Sequence, residues 1–243
     1  MCRLALFDRN GIDHIESTVG INNLFDHLEL SLGGHGNGYF MLFNDGKIRV
    51  KKGVKVTNEE ITEDILKNYN NIKWVMYHTR LASLGTISND NCHPFIGKNK
   101  DVLMMNGTEY NVKNFIKDNK TDTETILEMC NMLKIDIAQG TKNFNSVFLG
   151  YSYRNKKVFA NRNNGRLEFL KRDGCFIFAS EFLPEQYKNN NIYTVPECWE
   201  EDQEIIFTKQ KPIAPEKPKK KYKDYFSYYD NEYTEYKNYK FLK

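Results

Sequence analysis

A cysteine directly follows the first methionine, and that position gives it a chemistry open to no other thiol in the chain. Removal of Met1 would leave Cys2 carrying both a thiol and a free α-amine. An α-amine has a reference pKa of about 7.7–8.0, low enough to serve as a general base at neutral pH. Nucleophile and base then share one residue, and no separate histidine is needed. Three further groups complement an acyl-attacking thiol. Asn106-Gly107 sets a side-chain amide beside a glycine N–H, a pair able to hold the oxyanion of a tetrahedral intermediate. Taken alone it reads equally as an Asn-Gly turn. Arg80, in His78-Thr79-Arg80, is a planar fork suited to a carboxylate, with a surface ion pair as the plain alternative; His78 and Thr79 are grouped with it as substrate-binding. Asp122 can receive an ammonium, or can simply support a helix start. Together these groups describe a site for a γ-linked glutamyl amide.

The elements that must position them are readable in outline. Cys2–Phe7 reads as a short buried strand. Leu24–Leu32 has helical apolar spacing and stops at Gly33-Gly34. Tyr39–Phe43 and Lys47–Val50, joined by Asn44-Asp45-Gly46, form a hairpin signal. Thr57-x-x-Glu60 and Thr121-x-x-Glu124 are capping boxes, opening helices to about Tyr69 and through Leu133. Trp74–Tyr77 is a strand carrying His78-Thr79-Arg80 at its end, and Val102–Met105 is a strand ending at Asn106-Gly107. Six strands are expected beyond Ser146: Val147–Tyr153, Lys157–Ala160, Leu167–Leu170, Cys175–Ala179, Ile192–Val195 and Glu204–Phe207. Helices early and strands throughout favour a layered α+β fold over a doubly wound sheet.

Composition narrows the function classes. The 243 residues carry 35 Lys and Arg against 32 Asp and Glu, a net +3 too weak to imply nucleic acid. No apolar run approaches the roughly 18 residues of a membrane span, and the apolar Leu4–Phe7 stops too early for a signal peptide. The five cysteines are scattered, odd in number and lack C-x-x-C, a pattern that points to a reducing, cytoplasmic setting and away from a disulfide scaffold or zinc ribbon. A catalytic domain is expected over residues 1–210. Residues 211–243 hold three of the six prolines, seven of the fifteen tyrosines, and nine Lys mixed with five acids. They read as a disordered tail, solvated or used for docking.

The order of these motifs resembles that of class II (Ntn-type) glutamine amidotransferase domains. The resemblance runs from Met1-Cys2-Arg3-Leu4 through Gly33–Gly38, His78–Gly85 and Asn91-Cys92-His93-Pro94-Phe95. It continues through Asn106–Asn111 and Thr121–Glu124 to Phe178-Ala179-Ser180-Glu181, covering roughly residues 2–185. It implies a four-layer αββα sandwich of the Ntn-hydrolase type and glutamine hydrolysis through a γ-glutamyl thioester on Cys2. Arg80 would bind the substrate α-carboxylate, Asp122 its α-amine, and Asn106 with Gly107 the oxyanion. No cofactor or metal is called for, and the expected partner is a separate synthase subunit that accepts the ammonia. The chain departs from the family in having Met105 where a histidine usually precedes Asn-Gly. Its stretch from Asn106 to Asp122 is short, and no synthetase domain follows in this sequence. The Met1-Cys2-Arg3 start is closer to compact relatives that cleave γ-glutamyl peptides, so such a γ-glutamyl amide is the alternative to L-glutamine. A catalytically retired binding protein is the third reading, opposed by the joint presence of the five site residues.

Overall fold

The computed structural model describes residues 2–117, 119–172, 174–195, 197–203, 205 and 212–213. The expected strand Glu204–Phe207 and the tail at 211–243 therefore fall almost wholly outside the described residues. In chain order the elements are β1 (Arg3–Asp8), α1 (Arg9–Thr18), α2 (Ile21–Leu32), β2 (Asn37–Phe43), β3 (Ile48–Gly53), α3 (Asn58–Asn68) and β4 (Ile72–Thr79). There follow β5 (Phe95–Ile96), β6 (Val102–Asn106), α4 (Asp122–Leu133), α5 (Ile137–Thr141), β7 (Val147–Ser152) and β8 (Lys157–Arg162). The last are β9 (Glu168–Lys171), β10 (Ile177–Ala179), α6 (Pro184–Asn189), β11 (Asn191–Thr194) and β12 (Cys198–Glu200).

The strands form two sheets, ordered β11-β9-β10-β1-β4-β2-β3 and β12-β8-β7-β6-β5, with every described pairing antiparallel. β1 shows why they stack. Alternate side chains of a strand point to opposite faces, and here both faces are apolar. Ala5 and Phe7 pack with Ile15, Leu24, Phe25 and Ile61 of α1, α2 and α3. Leu4 and Leu6 pack with Met104, Leu149 and Val158 of the other sheet. The outer face of that second sheet, through Leu103, Met105 and Phe148, is covered by Ile126 and Leu127 of α4 and Ile137 of α5. The order is helix, sheet, sheet, helix: the expected αββα sandwich. Burying each such side chain stabilises by about 1.5–3 kcal/mol, and three stacked cores hold the layers together. Among the described residues no helix is long and apolar enough to cross a membrane.

Local signals set the helix ends. Thr57 and Glu60 cap α3 reciprocally. At α4 only half of the anticipated box forms. Thr121 accepts from the Glu124 N–H, while the Glu124 carboxylate turns to Lys120 at 2.6 Å. The structure adds elements not anticipated from sequence, chiefly α1, whose N-terminus is capped by Asp8 accepting from the Gly11 N–H at 2.8 Å, and the short β12.

Candidate active site

Strand alternation carries five polar side chains into one end of the space between the sheets. On β1 the row Leu6, Leu4 continues to Cys2. On β4 the row Trp74, Met76 continues to His78 and Arg80, on β6 Val102 and Met104 continue to Asn106, and on β10 Phe178 continues to Ser180. The apolar members of each row are inter-sheet core, so the polar members at the row ends share its rim. The register that pairs Arg3 with Thr79 and Leu4 with His78 brings the start of β1 to the Arg80 end of β4.

Cys2 is 7% exposed. Its Sγ accepts from the Leu81 N–H at 3.4 Å and lies 3.6 Å from the Leu81 carbonyl. Burial pushes the thiol up; the Leu81 N–H and the Arg80 charge pull it down, and Asp122 opposes them. The net rise holds the sulfur protonated at neutral pH, so attack requires a base beside it.

Arg80 is 2% exposed, and the loop after it folds back around its guanidinium. Nη1 donates to the Thr86 carbonyl at 2.8 Å, and Nη2 donates to Leu84 and Gly85 carbonyls at 2.9 and 3.4 Å. Gly85 turns that loop at φ +74°. Asn91 pins it by donating to the Thr86 carbonyl at 3.0 Å and the Asn119 carbonyl at 2.8 Å. Three of the five guanidinium N–H groups are thus spent on fixing the fork. Nε–H and one Nη1–H have no partner among the described residues and remain as single, diverging donors that a carboxylate could meet one at a time. Burial lowers the Arg80 pKa, and Cys92, Cys2 and Asp122 offset this; it remains a cation.

The oxyanion pair and the ammonium acceptor are joined by one chain of contacts. Asn106 Nδ2 lies 3.5 Å from Ser180 Oγ, which also accepts from the Leu4 N–H at 2.9 Å. Gly107 has φ +153°, and a Cβ there would sit 2.2 Å from Ser146 Oγ. Ser146 donates to Glu109 Oε1 at 2.5 Å, and the Glu109 N–H donates to Asp122 Oδ2 at 2.8 Å. Asp122 Oδ1 accepts from Thr123 N–H at 2.9 Å, leaving each oxygen a further lone pair for an ammonium. Burial raises the Asp122 pKa against those N–H groups and Arg80.

His78 is fully buried behind this rim. Its Nε2 donates to the Met105 carbonyl at 3.1 Å, and its ring lies 3.9 Å from that of His93, centroid to centroid. His93 Nε2 meets Thr123 Oγ1 at 2.9 Å. Burial drops the His78 pKa to about 3 and holds His93 well below the usual histidine range, so the pair is neutral. It ties β4, β6 and α4 together one residue away from Asn106 and Asp122. Thr79 is placed differently: it has the opposite strand parity and faces the helix layer, where a Cβ on Gly33 would meet its Oγ1 at 2.2 Å. The structure thus gathers Cys2, Arg80, Asn106, Gly107 and Asp122, sets His78 behind them and turns Thr79 away. Ser180 and His93 lie within motifs quoted above but had no assigned part. Ser180 was detectable as a polar residue on the apolar row of β10. Among the described residues, no group of three or more His, Cys, Asp or Glu side chains is arranged to hold a metal ion.

No family model and no curated protein sequence matches this chain. Solved structures do. The chain is similar to glutamine phosphoribosylpyrophosphate amidotransferase from B. subtilis, complexed with ADP and GMP, at 15% identity and a TM-score of 0.53, covering 74% of this chain. It spans 42% of that protein's chain. A glutamine aminotransferase class-II domain protein from Silicibacter pomeroyi aligns at 12% identity over 83% of this chain and 99% of its own, with a TM-score of 0.42. The first likeness concerns architecture, and it gives this chain the fold of the class II glutamine amidotransferases.

Proposed function

We propose that this protein is an N-terminal-nucleophile cysteine amidohydrolase that cleaves the γ-amide of L-glutamine. The observation that carries the reading is the convergence of Cys2, Arg80, Asn106-Gly107 and Asp122 on one rim of the inter-sheet space, from four separate elements. Arg80 holds the substrate α-carboxylate and Asp122 its α-ammonium, so the γ-carbonyl is presented to Cys2. Cleavage of the Met1–Cys2 bond frees the α-amine, which takes the thiol proton as Sγ bonds to the γ-carbon. Asn106 Nδ2–H and Gly107 N–H stabilise the oxyanion. Collapse breaks the C–N bond, and the α-ammonium returns its proton to the leaving nitrogen, which departs as ammonia. Water, deprotonated by the same amine, then attacks the thioester; the C–S bond breaks, and glutamate and the thiol are restored.

The clamp reads the glutamyl half of the substrate and not the leaving amine. A γ-glutamyl peptide is therefore the second substrate to compare, by kcat/KM against glutamine. With glutamine we propose a separate synthase as ammonia acceptor, because free ammonia becomes mostly ammonium at pH 7 and loses its nucleophilic lone pair. The five free thiols support a reducing, cytoplasmic setting.

The test is Cys2→Ala. Glutamine-dependent ammonia release should fall by at least about 10³-fold while the fold is kept. Intact-mass measurement of the unaltered protein with 6-diazo-5-oxo-L-norleucine should show loss of Met1 and one adduct on Cys2. Unchanged turnover by a folded Cys2→Ala protein, or a retained Met1 in an active one, refutes the assignment.

A further inference from the structure

Arg3 has no part in the chemistry above, yet three anchors hold it against the nucleophile. Nε donates to Ser31 Oγ of α2 at 2.9 Å. Nη2 lies 3.5 Å from Glu181 Oε2, just beyond β10. Nη1 donates to the carbonyl of Cys2 itself at 3.2 Å. Behind it, Glu181 also faces Arg166 Nη1 and His27 Nε2, each at 3.8 Å, and Arg166 closes on Glu168 at 2.6 Å. The Arg3 side chain is 13% exposed. Its charge is thus held in place beside the nucleophile.

We propose that Arg3 is a positioning residue for the N-terminal nucleophile: its guanidinium fixes the Cys2 carbonyl, and with it the α-amine, and its charge favours the unprotonated form of that amine. The inference rests on the reading of Cys2 given above. The carbonyl and the amine hang on the same Cα, so a carbonyl gripped from one side limits where the amine and thiol can turn. A cation this close disfavours an ammonium and leaves a neutral amine untouched. Other groups face the same place. Arg80 from β4 acts in the same direction, and Asp122 from α4 opposes it. His35, between α2 and β2, lies toward Arg80 and the chain start. Cys92, ahead of β5, and buried neutral His78 complete the set. Glu181 is the counter-charge through which Arg3 can be tuned without touching the nucleophile.

The experiment follows the rate of Cys2 labelling by 6-diazo-5-oxo-L-norleucine against pH, read by intact mass. In Arg3→Met the acid limb should move up by about half a pH unit, the size of a one-charge effect at this range in a well-solvated setting. In Glu181→Gln, which leaves the Arg3 charge uncompensated, it should move down by a similar amount. Arg3→Lys should keep the limb in place and label about tenfold more slowly, because the charge stays and the fork is lost. A structural role alone would slow labelling in each variant and shift none. Limbs that stay put, or move in the same direction, overturn the proposal; should Arg3→Met not fold, Glu181→Gln decides alone. Absence of labelling in the unaltered protein is a different result, which removes the functional reading first and this inference with it.

Discussion

Ser180 shows how one hydroxyl serves the site without touching substrate. Its Oγ accepts from the Leu4 N–H, fixing β1 two residues from the nucleophile, and lies within reach of Asn106 Nδ2. In Ser180→Ala both contacts vanish, and the buried Leu4 N–H is left unpaired at a cost of about 1–3 kcal/mol. The expected outcome is a fall of about tenfold in kcat with KM little changed, since the proposed substrate clamp at Arg80 and Asp122 is elsewhere. Steady-state kinetics on glutamine check the split: a rise in KM with kcat intact would mean that Ser180 supports the clamp and not the oxyanion pair. Asn106→Ala removes the donor itself and should cost on the order of 10²–10³ in kcat.

At the scale of elements, the junction of β6 and β7 is a tight joint beside the candidate site. Gly107 closes β6 with φ +153°, and its missing Cβ is what lets Ser146 stand beside it and reach Glu109. Gly107→Ala therefore carries two penalties, a backbone cost of about 1–3 kcal/mol and a steric clash with Ser146. It should lower both the unfolding midpoint and kcat. Adding Ser146→Gly should recover part of the stability and little of the activity, because the clash is removed while the N–H remains displaced; urea melts and ammonia release on the same proteins separate the two. The elements themselves were largely legible. The capping residues Thr57 and Thr121 placed α3 and α4, and the Asn44-Asp45-Gly46 turn placed the hairpin. α1 escaped because its apolar face is thin, with Gly11 inside it, and only Ile12, His14 and Ile15 buried beyond that glycine. Its cap, Asp8, is the last residue of a strand, and the rest of its stability comes from packing on the sheet, which is not local. The candidate site could be proposed from sequence where one residue type suggests the chemistry, as at Cys2, Arg80 and Asn106. It was not legible where the role is set by a distant element, as for Ser180 against Leu4 or Arg3 against Ser31. Thr79 differs again: the alternation of Trp74, Met76 and His78 against Val75, Tyr77 and Thr79 already assigns it to the helix face.

Across the whole molecule, the site's cost appears as a pH dependence of stability. All five histidines, His14, His27, His35, His78 and His93, are held below the usual range, in each case chiefly by burial. The unfolded chain takes up these protons near pH 6.5, whereas native His78 waits until about pH 3 and His93 until well below 6.5. A depressed native pKa means that stability is complete above the unfolded value and is lost as pH falls through it toward the native one. Below pH 6.5 each of this pair removes about 1.4 kcal/mol per pH unit. Buried carboxyls such as Asp101, Glu109, Asp122 and Glu168 act in the opposite sense, because burial raises them and protonation then favours the native state. Their effect runs from their ordinary values near 4 up to their raised native ones, so any overlap with the span from pH 6.5 to 5.5 offsets part of the histidine loss there. Urea unfolding at pH 7.5 and 5.5 should show a loss of stability to which His78 and His93 together contribute about 3 kcal/mol, and His78→Gln or His93→Gln should each reduce the loss by about 1.4 kcal/mol whatever it does to stability at pH 7.5. A stability that stays level across this span would mean that the two imidazoles are reached by protons in the native state, and that the neutral brace behind Asn106 and Asp122 does not exist.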